Sequence, residues 1–266
     1  MPSFQNNEKI GSGAGVLKHR QLTLGILAIF FYVGSEVAIG SWIVEYLKDE
    51  NIVGMSEESA SYFLSFFWGG LMIGRLMASH ALNSELTKQR KYFSMAIIGL
   101  IVFFGIYLVT GIKIHEGSFA FSPIEFSKIA MYLAFIALCF VAFIIGDGKP
   151  SKSLVVFSCI NFVLLTIAVL AKGQLAFIVI ISTGLFFSIG WTNIFSLAIS
   201  NLGKYTSQGS SLLVMAVVGG AILPMIQSVI IEKVNVQTSF IIPIFGMLYL
   251  IYYGLSGYKP TKVIEE

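Results

Sequence analysis

The hydrophobic positions of this chain fall in long unbroken runs, not in an alternation and not on one stripe of a surface helix. Eight runs stand out, at about 22–43, 60–82, 93–112, 127–146, 153–171, 174–199, 209–231 and 238–257. Each is close to the ~20 residues with which a helix rising about 1.5 Å per residue crosses a ~30 Å hydrocarbon core. No strict period-2 pattern runs through them, which argues against a membrane barrel. The pattern predicts an all-α, polytopic membrane helix bundle with about eight transmembrane helices. Runs five and six are parted only by Lys172 and Gly173, the sign of a tight helical hairpin.

Composition agrees. Of the 266 residues, 56% are hydrophobic and 12% are charged, and the mean hydropathy is +0.84. Soluble domains carry about a quarter of their residues as charges, so the chain reads as an integral membrane protein. A net charge of +3 with scattered basic residues does not point to nucleic acid. Cys139 and Cys159 lie inside apolar runs and read as small core residues. The first 21 residues are polar and contain glycines, with no apolar signal region, and read as a cytoplasmic linker or tail; residues 258–266 read as a second tail.

Orientation follows from the basic residues. With the N-terminus inside, twelve fall on the inner side: Lys9, Lys18, Arg20, Arg75, Lys88, Arg90, Lys91, Lys149, Lys152, Lys204, Lys259 and Lys262. Five fall outside: Lys48, Lys113, Lys128, Lys172 and Lys233. Both termini are therefore expected in the cytoplasm, with the chain in a bacterial inner membrane.

Polar residues inside the runs are the candidate chemistry. A charge near mid-bilayer costs about 2.5–3.5 kcal/mol even on insertion scales, and Glu36 lies close to the middle of the first run. It is expected in the protein interior, on the helix face shared with Tyr32 and Gly40. Two roles stay open for it: a carboxylate that takes up a proton or binds a polar substrate, or a tie between two helices. Asn161, Asn193 and Gln227 offer amides, each donor and acceptor at once, which suit sugar hydroxyls. Trp42, Trp68 and Trp191 offer faces for a pyranose. Polar side chains that glue helices and aromatic anchors at the interface remain the alternative reading for each. Asn193 and Gln227, joined by Trp42 or Asn161, are expected to face a cavity.

Small residues mark packing. Gly70 and Gly74 have the spacing of close helix contact, and Gly219 and Gly220 stand a turn before Pro224, which can kink its span. Arg75, followed by Ser79, His80 and Asn83, is expected to extend to the cytoplasmic boundary. The stretch "GSGAG" at 11–15 has neither a preceding strand nor a following Gly-Lys-Ser/Thr and reads as a linker. His19, His80 and His115 sit near three separate loops, so no metal site is expected. No catalytic constellation stands out either, and an enzyme is not expected.

Five stretches carry a resemblance: "FFYVGSEVAIGSWIVEYL", "SFFWGGLMIGRLM", "GLFFSIGWTNIFSLAI", "LLVMAVVGGAILPMIQ" and "YLIYYGLSGYKP". In this order they resemble the C-terminal half of major facilitator superfamily sugar permeases, of the fucose permease and glucose/galactose transporter group. The family's Tyr-Val-Gly-x-Glu-Val-Ala-Ile-Gly-Ser run matches Tyr32 to Ser41 and includes Glu36, and its Gly-Arg matches Gly74 and Arg75. The resemblance implies an alternating-access permease for a hexose or deoxyhexose such as glucose, galactose or fucose, coupled to a proton or sodium ion. It also implies a partner, the N-terminal six-helix half, which this chain lacks. Family members have six spans in this half, which leaves the pair at about 93–146 as additional. In the tenth helix, Phe187 stands where many members have an amide, and Asn193 is gained. The alternative to transport is a membrane scaffold, a decayed permease fragment that packs with other subunits.

Overall fold

The computed structural model describes residues 15–81, 85–115 and 118–260. The sequence-predicted tails therefore lie largely outside the described residues, as do most of the "GSGAG" stretch and Asn83. Twelve α-helices are present among the described residues: α1 (Arg20–Lys48), α2 (Glu57–Ala81), α3 (Lys88–Thr110), α4 (Phe126–Ile129), α5 (Tyr132–Gly146), α6 (Pro150–Leu170), α7 (Gly173–Phe187), α8 (Gly190–Ile199), α9 (Thr206–Met215), α10 (Gly219–Lys233), α11 (Val236–Ser239) and α12 (Ile241–Tyr252).

Short helices merge end to end into spans. Seven segments are long and apolar enough to cross a membrane: Arg20–Lys48, Lys88–Thr110, Phe126–Gly146, Pro150–Leu170, Gly173–Ile199, Gly203–Lys233 and Val236–Gly257. The eighth span, α2, is diluted by Gly69, Gly70, Gly74 and Arg75, yet it is 25 residues long and packs along α3 and α7. The eight spans coincide with the eight apolar runs.

The ends are set by local chemistry. Thr87 Oγ1 accepts from the Arg90 amide at the start of α3, and Pro150 opens α6, where its missing N–H costs nothing. Asp147 and Gly148 turn the chain from α5 into α6 at φ 53° and 64°. Gly173, at φ 65°, makes the hairpin between α6 and α7 possible. One element was not foreseen by the all-α reading: a two-stranded antiparallel hairpin, β1 (Ile112–His115) with β2 (Ser118–Phe121), beyond the end of α3.

Eight passes bring the chain back to its starting end. There Tyr253 donates its hydroxyl to the Gln21 carbonyl at 3.0 Å, and Tyr249 to that of Leu24 at 3.0 Å. This is the termini end of the bundle. At the opposite, far end, Lys48 bridges Glu57 at 3.0 Å and Glu45 at 3.7 Å.

The core has α7 at its centre. Every residue from Ala176 through Gly190 is buried. Span α2 packs on one side of α7 and α6 on another, while α1 gathers α8, α10 and α12. The pair left over by the motif comparison flanks this centre and adds Met95, Phe103, Tyr132 and Cys139 to the core. Helix α3 lies against α2, and α5 against α6 and α7. They attach through an aromatic cluster in which Phe103 stacks on Tyr132 and Tyr132 donates to the Phe66 carbonyl at 2.8 Å. Cys139 is buried on α5 but Cys159 is exposed on α6, so only the first is a core residue; both are free thiols.

Candidate functional site

Helix α1 carries the polar residues that matter, one turn apart. Tyr32 is 2% exposed, and Gly190 of α8 backs directly onto its ring. Its hydroxyl donates to the carbonyl of Phe187. The reason is a break in the seventh-to-eighth helix run: Ile189 lies at φ −113°, ψ 2°, between α7 and α8. Helical hydrogen bonding lapses there, and in an apolar interior the Phe187 carbonyl needs another donor. Tyr32 is that donor. Sequence reasoning placed Tyr32 on the face of Glu36 but missed this bond; the small, polar and glycine steps of Ser188-Ile189-Gly190 were the available signal.

Glu36 follows one turn later with its side chain 13% exposed, and it does not face lipid alone. Its Oε1 lies 3.6 Å from Nη2 of Arg75 on α2. The sequence reading sent Arg75 toward the cytoplasmic boundary. In the structure the guanidinium, still 57% exposed, lies beside the carboxylate. A matched charge is the physical reason, because a lone carboxylate within a span is far costlier than a pair. The third residue of the face, Gly40, gives room to Trp68 of α2, whose ring lies where a Cβ would fall.

The other predicted residues distribute as follows. Trp42 is half-buried and donates Nε1–H to the Pro224 carbonyl of α10 at 3.3 Å. Asn193 is half-buried, one turn beyond Gly190, and its Nδ2 is buried without a hydrogen-bond partner. Asn161 and Gln227 are inside the half-bundle, 1% and 0% exposed. Gln227 donates to Ser239 Oγ at 2.9 Å, which links α10 to α11. Asn161 lines a cavity of about 10 Å³ with Tyr32, Ser158 and Phe187. Ligand pockets run to about 300–1,000 Å³, so a sugar does not reach Asn161 here. The expectation that Asn161 and Gln227 face an open cavity is therefore corrected: burial against neighbouring helices seals both.

The glycines are contact points. A Cβ on Gly70 would meet the Tyr132 hydroxyl at 2.4 Å, and one on Gly74 would meet Ser188 Oγ at 2.2 Å. On α10, a Cβ on Gly219 would fall 2.1 Å from the Phe30 carbonyl oxygen, while Gly220 faces Val33 and Val37. Helices α2 and α10 thus lie directly on α7–α8 and α1.

Comparison with known proteins bears on this arrangement. No protein-family model matches the chain. A crystal structure of the Escherichia coli fucose:proton symporter, FucP, superposes with a TM-score of 0.63 at 23% identity, over 95% of this chain and 48% of that one. A second crystal structure of FucP, a major facilitator superfamily transporter, in the outward conformation gives the same TM-score at 22% identity. The fold is that of one half of a major facilitator transporter. In sequence, the half is 32% identical over 242 residues to a glucose/galactose transporter of Brucella abortus, covering 91% of this chain and 43% of that protein. It is 30% identical over 252 residues to a putative glucose/galactose transporter of Helicobacter pylori, covering 93% and 46%. The chain spans about half the length of the curated relatives it matches. It resembles the C-terminal half of sugar permeases of this superfamily, and relatives of this kind are transporters, not enzymes. Among the five stretches that carry the resemblance, the Glu36–Arg75 pair joins the first two, and Tyr32 joins the first to the third.

Proposed function

We propose that this chain is one half of an alternating-access sugar permease and works with a complementary six-helix half. The observation that carries the reading is the Glu36–Arg75 pair: a carboxylate well inside an apolar span, matched by a guanidinium that stays largely exposed. Helix packing alone would favour burying both partners or neither. In transporters of inverted-repeat design, substrate and coupling-ion sites lie near the midplane between repeats or halves. Glu36, Arg75, Trp42 and Asn193 form the substrate face in this reading, with a hexose or deoxyhexose as substrate and a proton or sodium ion as the coupling species. Gly70, Gly74, Gly219, Gly220 and Pro224 hold the helices that carry this face. Relatives named glucose/galactose transporter and L-fucose-proton symporter support the substrate class and the coupling.

In the same reading the chain lies in a bacterial inner membrane with both termini in the cytoplasm. Residues 1–21 form the linker from the first half, residues 22–257 the bundle with its additional pair at about 93–146, and residues 258–266 the tail. The basic residues near the termini end, Lys18, Arg20, Lys88, Arg90, Lys91, Lys149, Lys152, Lys204 and Lys259, support that orientation.

The test is uptake of labelled glucose, galactose and fucose into vesicles that hold this chain together with a six-span first half. The pair is expected to accumulate one of these sugars, and Glu36→Gln to abolish accumulation against a gradient while exchange persists. A complex that forms but moves none of the three, with or without the substitution, makes the chain a scaffold and overturns the reading.

A further inference from the structure

At the termini end, three helix ends converge around a corner that the transport reading leaves unused: the last residue of α2, the first turns of α3 and the last turn of α5. They enclose a cavity of about 170 Å³, lined among others by Lys88, Lys91, Tyr92, Met95, Phe143 and Asp147. Its polar and apolar residues are segregated. Lys88 and Lys91 lie three apart, on one face of the first turn of α3, and Met95 and Phe143 lie deeper along the two helices.

The charge at this corner is unbalanced. Lys88, Arg90, Lys91 and Lys149 stand against Glu85 and Asp147, and Lys149 already lies 3.8 Å from Asp147. The first turn of α3 holds three of these cations and no acid. Cations are unfavourable there, because a helix N-terminus is itself positive. An anion in the cavity would relieve both terms at once.

The surroundings say which kind of anion. Toward the middle of the two spans, Ile97 of α3 is 40% exposed and Val141 of α5 is 45% exposed. Tyr92 packs edge-on against Phe140, an aromatic pair at the level where such residues anchor a span. The cavity is smaller than the about 300–1,000 Å³ of a pocket that encloses a whole ligand. It suits the phosphate end of a molecule whose remainder lies along the apolar flank.

We propose that this corner binds the phosphate of an anionic membrane lipid, with the acyl chains lying against the exposed faces of α3 and α5. The two spans that the motif comparison leaves over then supply a lipid site that the matched six spans do not contain. The inference does not depend on whether the chain transports sugar.

Native mass spectrometry of the purified chain in a non-ionic detergent tests it, with phosphatidylglycerol or phosphatidylcholine added at equal concentration. Phosphatidylglycerol should be retained in preference. Each lysine near a charged lipid surface is worth about 5-fold, so Lys88→Gln with Lys91→Gln should lower retention roughly 25-fold. Lys204→Gln, at the same end but away from the cavity, should leave retention unchanged. Should the double variant melt earlier than the parent, the pair Lys88→Arg and Lys91→Arg decides: retention close to the parent's supports the site, and loss overturns it. Equal retention of the two lipids, or retention indifferent to the double substitution, overturns it as well. Inorganic phosphate forms the last arm. If it displaces phosphatidylglycerol at equimolar concentration, the corner is a site for a soluble anion and the lipid proposal fails.

Discussion

Helices α3 and α7 are both apolar and both of spanning length, and α3 belongs to the more hydropathic span of the two. Yet 83% of the most apolar window of the α7–α8 span is buried, against 22% of that of α3. The difference lies in what interrupts the apolar residues. Helix α7 carries Ser182, Thr183 and Gly184 in succession, which let other backbones approach, and the hydroxyls satisfy themselves on the Ile178 and Ile180 carbonyls at 2.7 and 2.6 Å. Helix α3 instead presents Phe93, Ile101, Phe104 and Val109 outward. In a membrane, hydropathy says that a segment spans; small residues say where in the bundle it goes.

The sharpest way to break this comparison is a methyl group. A Cβ on Gly184 would fall 2.0 Å from the Phe67 carbonyl oxygen, a backbone atom that cannot step aside. Gly184→Ala is expected to cost about 3 kcal/mol, at the upper end for overpacking. That would lower the thermal midpoint of the detergent-solubilised chain by roughly 10 °C. A midpoint within a degree or two of the parent would mean that α7 is not central.

A smaller effect sharpens the picture at the end of α7. Tyr32→Phe keeps the ring that packs on Gly190 and removes the hydroxyl that donates to Phe187. A buried carbonyl left without its donor costs about 1–3 kcal/mol, read in the same melting experiment. An unchanged midpoint would show that the carbonyl at the helix break finds another partner.

The smallest effect belongs to α3. Nothing lies within 4 Å of a Cβ built on Gly105. Gly105→Ala is expected to change stability by no more than about 0.5 kcal/mol, with any shift toward gain because alanine favours the helix. A loss as large as that at Gly184 would place this part of α3 in an interior contact and erase the distinction.

Much of this was readable from the chain. All eight spans lie where the apolar runs put them, because a ~20-residue apolar run in lipid has one way to satisfy its backbone. The site was less legible. Glu36 was expected inside on the face of Tyr32 and Gly40, but its partner was not identified, since Arg75 is 39 positions away and contact between α1 and α2 is a tertiary fact. Asn161 and Gln227 look like Asn193 in sequence, yet two are sealed and one is half-buried. Which way an amide points depends on the helix it meets. The hairpin of β1 and β2 was overlooked because its strands are four residues each and fall in the gap between two apolar runs, where they read as a loop.

One carbonyl at the far end has consequences for movement. The oxygen of Ala168, near the end of α6, accepts from the Tyr46 hydroxyl at 2.6 Å and from Gln237 Nε2 at 3.1 Å, and Gln237 also holds the Ala171 carbonyl at 2.7 Å. The Gly173 amide donates across to Ile52 at 2.6 Å. These four bonds stitch α1, the α1–α2 turn, α6, the start of α7 and α11 into a single plate. Displacing one of these segments displaces the others, and α10 is tied in as well, through Gln227 to Ser239 of α11 and through its Pro224 carbonyl to Trp42 of α1. In kinematic terms this end of the half is built to move as one body.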